Sequence, residues 1–275
     1  MEKKRKTLQE LTILDGFMFG AVMMDPENCR GLLERILEVP IGHVEVVREK
    51  SLIYHPEYKG VRLDVYAADE TGTRYDVEMQ VRKTPVEKRS RYYHSQMDME
   101  LLLSGTPYDQ LPDSYVIFIC DYDPFGQGKY RYRIKSRCHE CPEMEVADGV
   151  HTVILNNSGN NPEEVSAELV NFLQYTKKTL PESEEYSEDN YIRKLQESIR
   201  KIKGSREMGE RYMTLQEMLQ EERQEGKEEG LQEGERLTVI RLIKKGRLTM
   251  EEGAAELGLT MEDLGKLMKA SAEEN

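Results

Sequence analysis

The run Arg62-Leu-Asp-Val-Tyr-Ala-Ala-Asp-Glu-Thr-Gly-Thr-Arg-Tyr-Asp-Val-Glu-Met-Gln80 constrains the fold more than any other segment. Two β-prone stretches flank Glu70-Thr71-Gly72, a three-residue turn with glycine where the backbone needs a positive φ. With Thr71 at the centre, cross-strand partners lie equally far from it, so Asp64 faces Glu78 and Arg62 faces Gln80. Facing side chains have Cβ atoms about 5 Å apart. Side chains alternate along a strand, so Leu63, Val65, Val77 and Met79 project to the other, apolar face. Two opposed carboxylates on a buried sheet repel unless a cation lies between them. The pattern outlines a metal site; the alternative is a solvated hairpin whose wet face carries acids.

Three observations favour the metal site. Apolar, tyrosine-rich runs flank the hairpin, as expected for central strands. Gln80 stands two residues after Glu78 on the same face. The order and spacing of several further motifs also match a known group: Leu14-Asp-Gly-Phe-Met-Phe19, Arg62-Leu-Asp64, Val77-Glu-Met-Gln80, Lys88-Arg-Ser-Arg-Tyr-Tyr-His94, Ser104-Gly-Thr-Pro-Tyr108, Tyr115-Val-Ile-Phe-Ile-Cys-Asp-Tyr-Asp-Pro-Phe125 and Leu155-Asn-Asn-Ser-Gly159. On these motifs, residues 11–175 resemble the recombination-promoting nuclease and transposase-like group of the PD-(D/E)XK nuclease superfamily.

The resemblance implies an α/β fold, a mixed central sheet flanked by helices, with metal-dependent cleavage of DNA. Asp64 and Glu78 would hold Mg²⁺, with Mn²⁺ as a substitute; such hard cations prefer oxygen ligands. Gln80 stands where the superfamily usually has lysine, and an amide can position a water but adds no charge. Arg62 or Lys83 could supply that charge, and slow catalysis is expected. Asp15 precedes an aromatic pair, as the group's acid does. It reads equally as a third catalytic acid or as the N-cap of a helix.

Two basic clusters bear on DNA binding. Arg82, Lys83, Lys88, Arg89 and Arg91 follow the metal face at the start of a helix and are read as contacts to nucleic acid. Lys129, Arg131, Arg133, Lys135 and Arg137 alternate along an expected strand, with Tyr130, Tyr132 and Ile134 on its other face. That stripe could follow a phosphate backbone, or it could be the polar face of an edge strand. The net charge of −13 argues against strong nonspecific affinity for DNA. The acidity is shared, since residues 181–275 hold 23 acids against 16 bases.

No apolar stretch is long enough for a membrane helix. The basic N-terminus lacks an apolar segment behind it, so a cytoplasmic location is expected. Cys29 and Cys120 read as core residues. Cys138-His-Glu-Cys141 has no second pair at zinc-site spacing, so free thiols and no zinc are expected.

The expected organisation is a nuclease-like domain over residues 1–180, a charged helical connector with a Glu/Gly repeat over 181–236, and a small helical module over 237–275. In the connector, Gly226, Gly230 and Gly234 recur every fourth residue, which weakens a helix. The last module resembles a helix-turn-helix, with Gly258 closing one helix and Thr260 capping the next. Residues 249–275 carry seven acids against two lysines, so DNA contact there is not expected. Leu257, Leu259, Leu264 and Leu267 are instead read as a face for a homo-oligomer. Two functions follow: a Mg²⁺-dependent DNA endonuclease acting in recombination or on mobile DNA, or a catalytically degenerate descendant that binds DNA or protein.

Overall fold

In a computed structural model, the structure describes residues 6–52, 60–185 and 187–273, with the side chains of 48, 49 and 270–273 excepted. The basic N-terminal residues 1–5 and the end of the β-prone stretch near Tyr54 lie outside that set. The chain divides into two compact units, Met1–Gly209 and Glu210–Asn275.

The first unit is built on a six-stranded mixed sheet of order β1-β2-β3-β4-β6-β5. Its strands are β1 (Val44–Leu52), β2 (Val61–Asp69), β3 (Arg74–Gln80), β4 (Ser114–Cys120), β5 (Arg131–Ile134) and β6 (Val150–Asn156). The first three form an antiparallel meander, whereas β3, β4 and β6 run parallel. The hairpin turn is the expected one. Gly72 has φ 89°. The Asp69 carboxylate holds the loop by accepting from the Thr71 N–H at 2.9 Å and the Thr73 N–H at 3.1 Å. The register is also the expected one near the turn, with Val65 opposite Val77 and Tyr66 opposite Asp76.

Toward the site the ladder changes. It ends at Val65–Val77, and the Asp64 N–H donates to Glu78 Oε1 at 3.0 Å. Leu63 shares a buried cluster with Tyr66, Tyr93 and Phe118, so the alternation of β2 breaks between Leu63 and Tyr66 in the manner of a bulge. The β2–β3 ladder therefore does not reach Arg62 and Gln80, and Arg62 keeps its pairing with Ser51 on β1.

Helix α3 (Val86–Leu101) joins β3 to β4 and packs on the sheet through Val86, Tyr93 and Met97, against Val116, Phe118 and Ile154. A parallel pair needs such a crossover. The rows Asp76–Val116–Thr152, Glu78–Phe118–Ile154 and Gln80–Cys120–Asn156 therefore face α3. Val77, Ile117, Ile119 and Leu155 on the other face are equally buried, as a central parallel strand requires.

Helices α1 (Gly16–Met23) and α2 (Pro26–Leu37) pack against β1. Asp25 caps α2 by accepting from the Glu27 N–H at 2.9 Å, and Pro26 opens it. A 3₁₀ turn at Pro162–Glu164 precedes α4 (Ala167–Thr176), which Ser166 caps, and α5 (Leu180–Glu184) follows. Helix α6 (Asn190–Gly204) belongs to this unit, because it packs on α1 and α2. Tyr191 is buried and donates its hydroxyl hydrogen to the Asn28 carbonyl at 2.7 Å. Its ring approaches α2 so closely that a Cβ on Gly31 would lie 2.6 Å from it. The compact unit thus runs past residue 180 to Gly209.

Helix α7 (Arg206–Lys244) is continuous for 39 residues and includes the Glu/Gly repeat, within the stretch expected as a charged helical connector. In the second unit, α8 (Met250–Glu256) and α9 (Met261–Glu273) pack with the end of α7. Gly258, with φ 62°, closes α8, and Thr260 Oγ1 accepts from the Asp263 N–H at 3.1 Å. Leu264 and Leu257 pack inside this module against Ile240 and Ala254. These two belong to the module's own core, whereas Leu259 and Leu267 of the expected face stay half-buried.

Candidate active site

The site lies where β2 and β3 part beneath the first turns of α3. Strand alternation puts Asp76, Glu78 and Gln80 in one line on β3, all buried, with Asp64 half-buried beside them on β2. Glu78 is held at both oxygens. Its Oε1 accepts the Asp64 N–H, and its Oε2 accepts Arg89 Nη2 at 3.0 Å. Arg89 Nη1 donates to Gln80 Oε1, and Gln80 Nε2 donates to the Arg82 carbonyl at 2.5 Å. A guanidinium can only donate, which fixes the orientation of the Gln80 amide. Arg89 is itself braced. Its Nη2 reaches the Tyr93 hydroxyl at 2.5 Å, and its guanidinium carbon lies 5.1 Å from the ring centroids of both Tyr93 and Phe118.

The cation beside Gln80 is therefore Arg89, carried on α3, and not Arg62 or Lys83, both of which are exposed. Sequence spacing does not show this, because the reach of a helix over a sheet is set by packing.

Electrostatics follow from burial. Glu78 is pushed up to about 8, first by burial and then by the Asp64 charge, against the opposing pull of the Asp64 N–H and Arg89. Asp76 is raised well above the usual carboxylate range by burial and by the charges of Glu78 and Asp64. Arg89 stays firmly charged: burial opposes this, but Tyr93, Glu78 and Asp64 outweigh it.

Asp76 was missed in the sequence, although its parity with Glu78 and Gln80 was a usable signal. It is fully buried, and neither of its carboxylate oxygens has a hydrogen-bond partner among the described residues. The donor set suits a hard cation: oxygen ligands, with an unsatisfied buried carboxylate among them. Among the described residues, no three His, Cys, Asp or Glu side chains yet converge as a ready cage. Glu78 is turned toward Arg89.

A family model described as PD-(D/E)XK nuclease family transposase matches residues 18–229. The chain belongs to this family. The match spans the sheet, α3 and the acidic pair, and runs into α7. No curated protein and no solved structure matches the chain.

Other residues singled out in this family member have different surroundings. Asp15 is the N-cap residue of α1, but its carboxylate caps no helical N–H. It accepts from the Thr12 N–H at 2.8 Å and pairs with Lys6 at 2.8 Å. Asp15 thus orders the chain entering α1, and its carboxylate takes no part in the bonds around Glu78. Arg131 is also committed elsewhere. One end donates to the Ile36 carbonyl at 2.8 Å and the other pairs with Glu38 at 2.9 Å, leaving the side chain 7% exposed. Arg133 pairs with the same Glu38, Lys129 with Glu164, and Lys135 and Arg137 with Glu145. Arg131 and Arg133 lie on the short edge strand β5, and the five bases of the stripe share three acids, Glu38, Glu145 and Glu164. Arg62, Lys83, Lys88 and Arg91 are exposed and lie in sequence next to the site. Cys29 and Cys120 are buried, and Cys138 and Cys141 lie outside the core as free thiols.

Proposed function

We propose that this chain is a divalent-metal-dependent DNA endonuclease acting in recombination or on mobile DNA. The observation that carries the reading is the knot at Glu78: two acids from adjacent strands meet at a bulged hairpin, with an arginine braced over them. Asp64 and Glu78 would hold the ion, Mg²⁺ or Mn²⁺. When bound, it would supply Lewis-acid polarisation of a phosphodiester and a more acidic water. Gln80 would orient a water through the amide capacity left beside its bonds to Arg89 and the Arg82 carbonyl, and Arg89 would supply the fixed positive charge that glutamine lacks. Arg89 reaches the site as a rigid fork, a geometry suited to phosphate oxygens as well as to carboxylate. Arg62, Lys83, Lys88 and Arg91 are proposed to meet the DNA backbone, which positions the duplex without reading its sequence.

Self-association is proposed to use α7, which exposes Met213, Met218, Leu219, Leu231 and Leu237. The second reading, a non-catalytic binding module, draws on one observation: Arg89 already neutralises Glu78 without a metal.

Plasmid nicking in Mg²⁺ and in Mn²⁺ at low salt tests the proposal, with Asp64→Ala and Glu78→Ala alongside. Low salt matters because phosphate contacts weaken steeply as salt rises. Cleavage by the wild type that both substitutions abolish is the expected result. Absence of both cleavage and a metal-induced rise in Tm favours the binding module.

A further inference from the structure

Asp76 is the one acid of the site that nothing among the described residues answers. It is 0% exposed, and both carboxylate oxygens are buried without a hydrogen-bond partner. In the sheet it is flanked by Tyr66 on β2 and Val116 on β4, neither of which neutralises it. The charged groups that bear on it are Glu78, Asp64 and Arg89. Arg89 spends its hydrogen bonds on Glu78, Gln80, Thr84 and Tyr93.

Physical chemistry makes this position costly for a merely structural residue. An unpartnered buried polar group costs about 1–3 kcal/mol, and an unpaired ion costs more. An apolar side chain on this row would fill the space beneath α3 without that penalty, as Val116 does in the neighbouring strand. A buried carboxyl there is answered either by a proton or by a charged species that arrives. Its neighbours are two further carboxylates, so the arriving species is a cation.

We propose that Asp76 is a third acidic ligand of the divalent-cation site, completing with Asp64 and Glu78 a three-carboxylate set. This rests on the metal-dependent reading of the site. Glu78 now turns its Oε2 to Arg89 and its Oε1 to the Asp64 N–H. With a cation bound, Asp64, Glu78 and Asp76 would hold it, and Glu78 would give up its bond to Arg89 to do so. Three carboxylates, rather than two, favour a cation that tolerates several oxygen ligands.

The test is calorimetric titration of the full-length chain with MnCl₂ alone, together with Tm with and without Mn²⁺. Wild type, Asp64→Asn, Asp76→Asn and Asp76→Ser are compared. Loss of Mn²⁺ affinity by about tenfold or more in both Asp76 variants is expected, the minimum for a residue in contact with the metal shell. Their Tm without metal should not fall, because the substitutions remove no hydrogen bond or ion pair of Asp76. The near-isosteric Asn and the smaller Ser fill the position differently, so a single folded variant is enough to decide. If wild type binds Mn²⁺ and Asp64→Asn does not, while a folded Asp76 variant binds as wild type does, the third ligand is refuted and the metal site stands. If wild type binds no Mn²⁺, both fall.

Discussion

Burial and the Asp64 charge lift the Glu78 carboxyl from 4.5 to about 8, so the folded chain keeps a proton there that the unfolded chain has lost. A folded state that binds more protons loses stability as pH rises. The loss begins at the unfolded value, 4.5, and is complete above about 8. Glu78→Gln keeps the shape and removes the titration. Its Tm should therefore decline less than that of wild type between pH 5 and 8 (roughly the window set by that linkage), measured in chelator; identical slopes would contradict the assignment. His94 works in the opposite direction. Buried among Ser114 and Thr152, it is lowered to about 4, mainly by burial, so its contribution is lost as pH falls from 6.5 through that value. Comparing wild type with the Glu78 variant cancels the His94 effect. At this scale the shared face of Glu78 and Gln80 was legible in the sequence, because a period of two places side chains along one strand, whereas Asp64 lies beyond the last pair of the ladder, where the expected register stops. Arg89 was legible only as a base near the site. Its grip on Glu78 and Gln80 depends on where α3 lies over the sheet.

Among the elements, α7 carries its glycines furthest. Three glycines at every fourth position weaken a helix, yet one helix passes through all of them. Gly226, Gly230 and Gly234 have open space where a Cβ would stand. They carry no turn or close approach, and their cost is conformational entropy alone. Changing all three to alanine should add about 1 kcal/mol of helix stability per site. Circular dichroism during thermal unfolding of the full chain would show it as higher residual helicity and a later loss of the α7 signal. Destabilisation would instead mean that the glycines make a close contact with a partner helix. The edge strand β5 teaches the complementary lesson. Its alternating bases were visible in the sequence, but their acidic partners, Glu38, Glu145 and Glu164, come from elsewhere in the chain. An alternating pattern reveals a face and not what the face meets.

At the scale of the whole molecule, the boundary of the first unit is set by α6. Its buried residues Tyr191, Ile192, Leu195 and Ile199 add to the core, and Arg35 both pairs with Asp189 at 2.7 Å and lies 4.4 Å from the Tyr191 ring centroid. A chain ending at residue 180 should expose that surface and aggregate or unfold at low temperature. A chain ending at Gly209 should fold cooperatively. Differential scanning calorimetry of both truncations decides the point, and equal Tm values would show that α6 is dispensable. The charged surface of this helix, with its Arg, Lys and Glu residues, had disguised it as connector, since a large polar face obscures a narrow apolar stripe.

The sequence by itself determined what depends on neighbours along the chain: the turn at Glu70-Thr71-Gly72, the register next to it, the shared face of Glu78 and Gln80 and the cap at Thr260. The tertiary structure alone decided which charges meet. It brought Arg89 to Glu78, tied Arg131 to Glu38 and left Asp76 buried without a partner among the described residues. Backbone hydrogen bonding and side-chain alternation are local and periodic, whereas the pairing of charges depends on how helices pack across a sheet, between residues far apart in sequence.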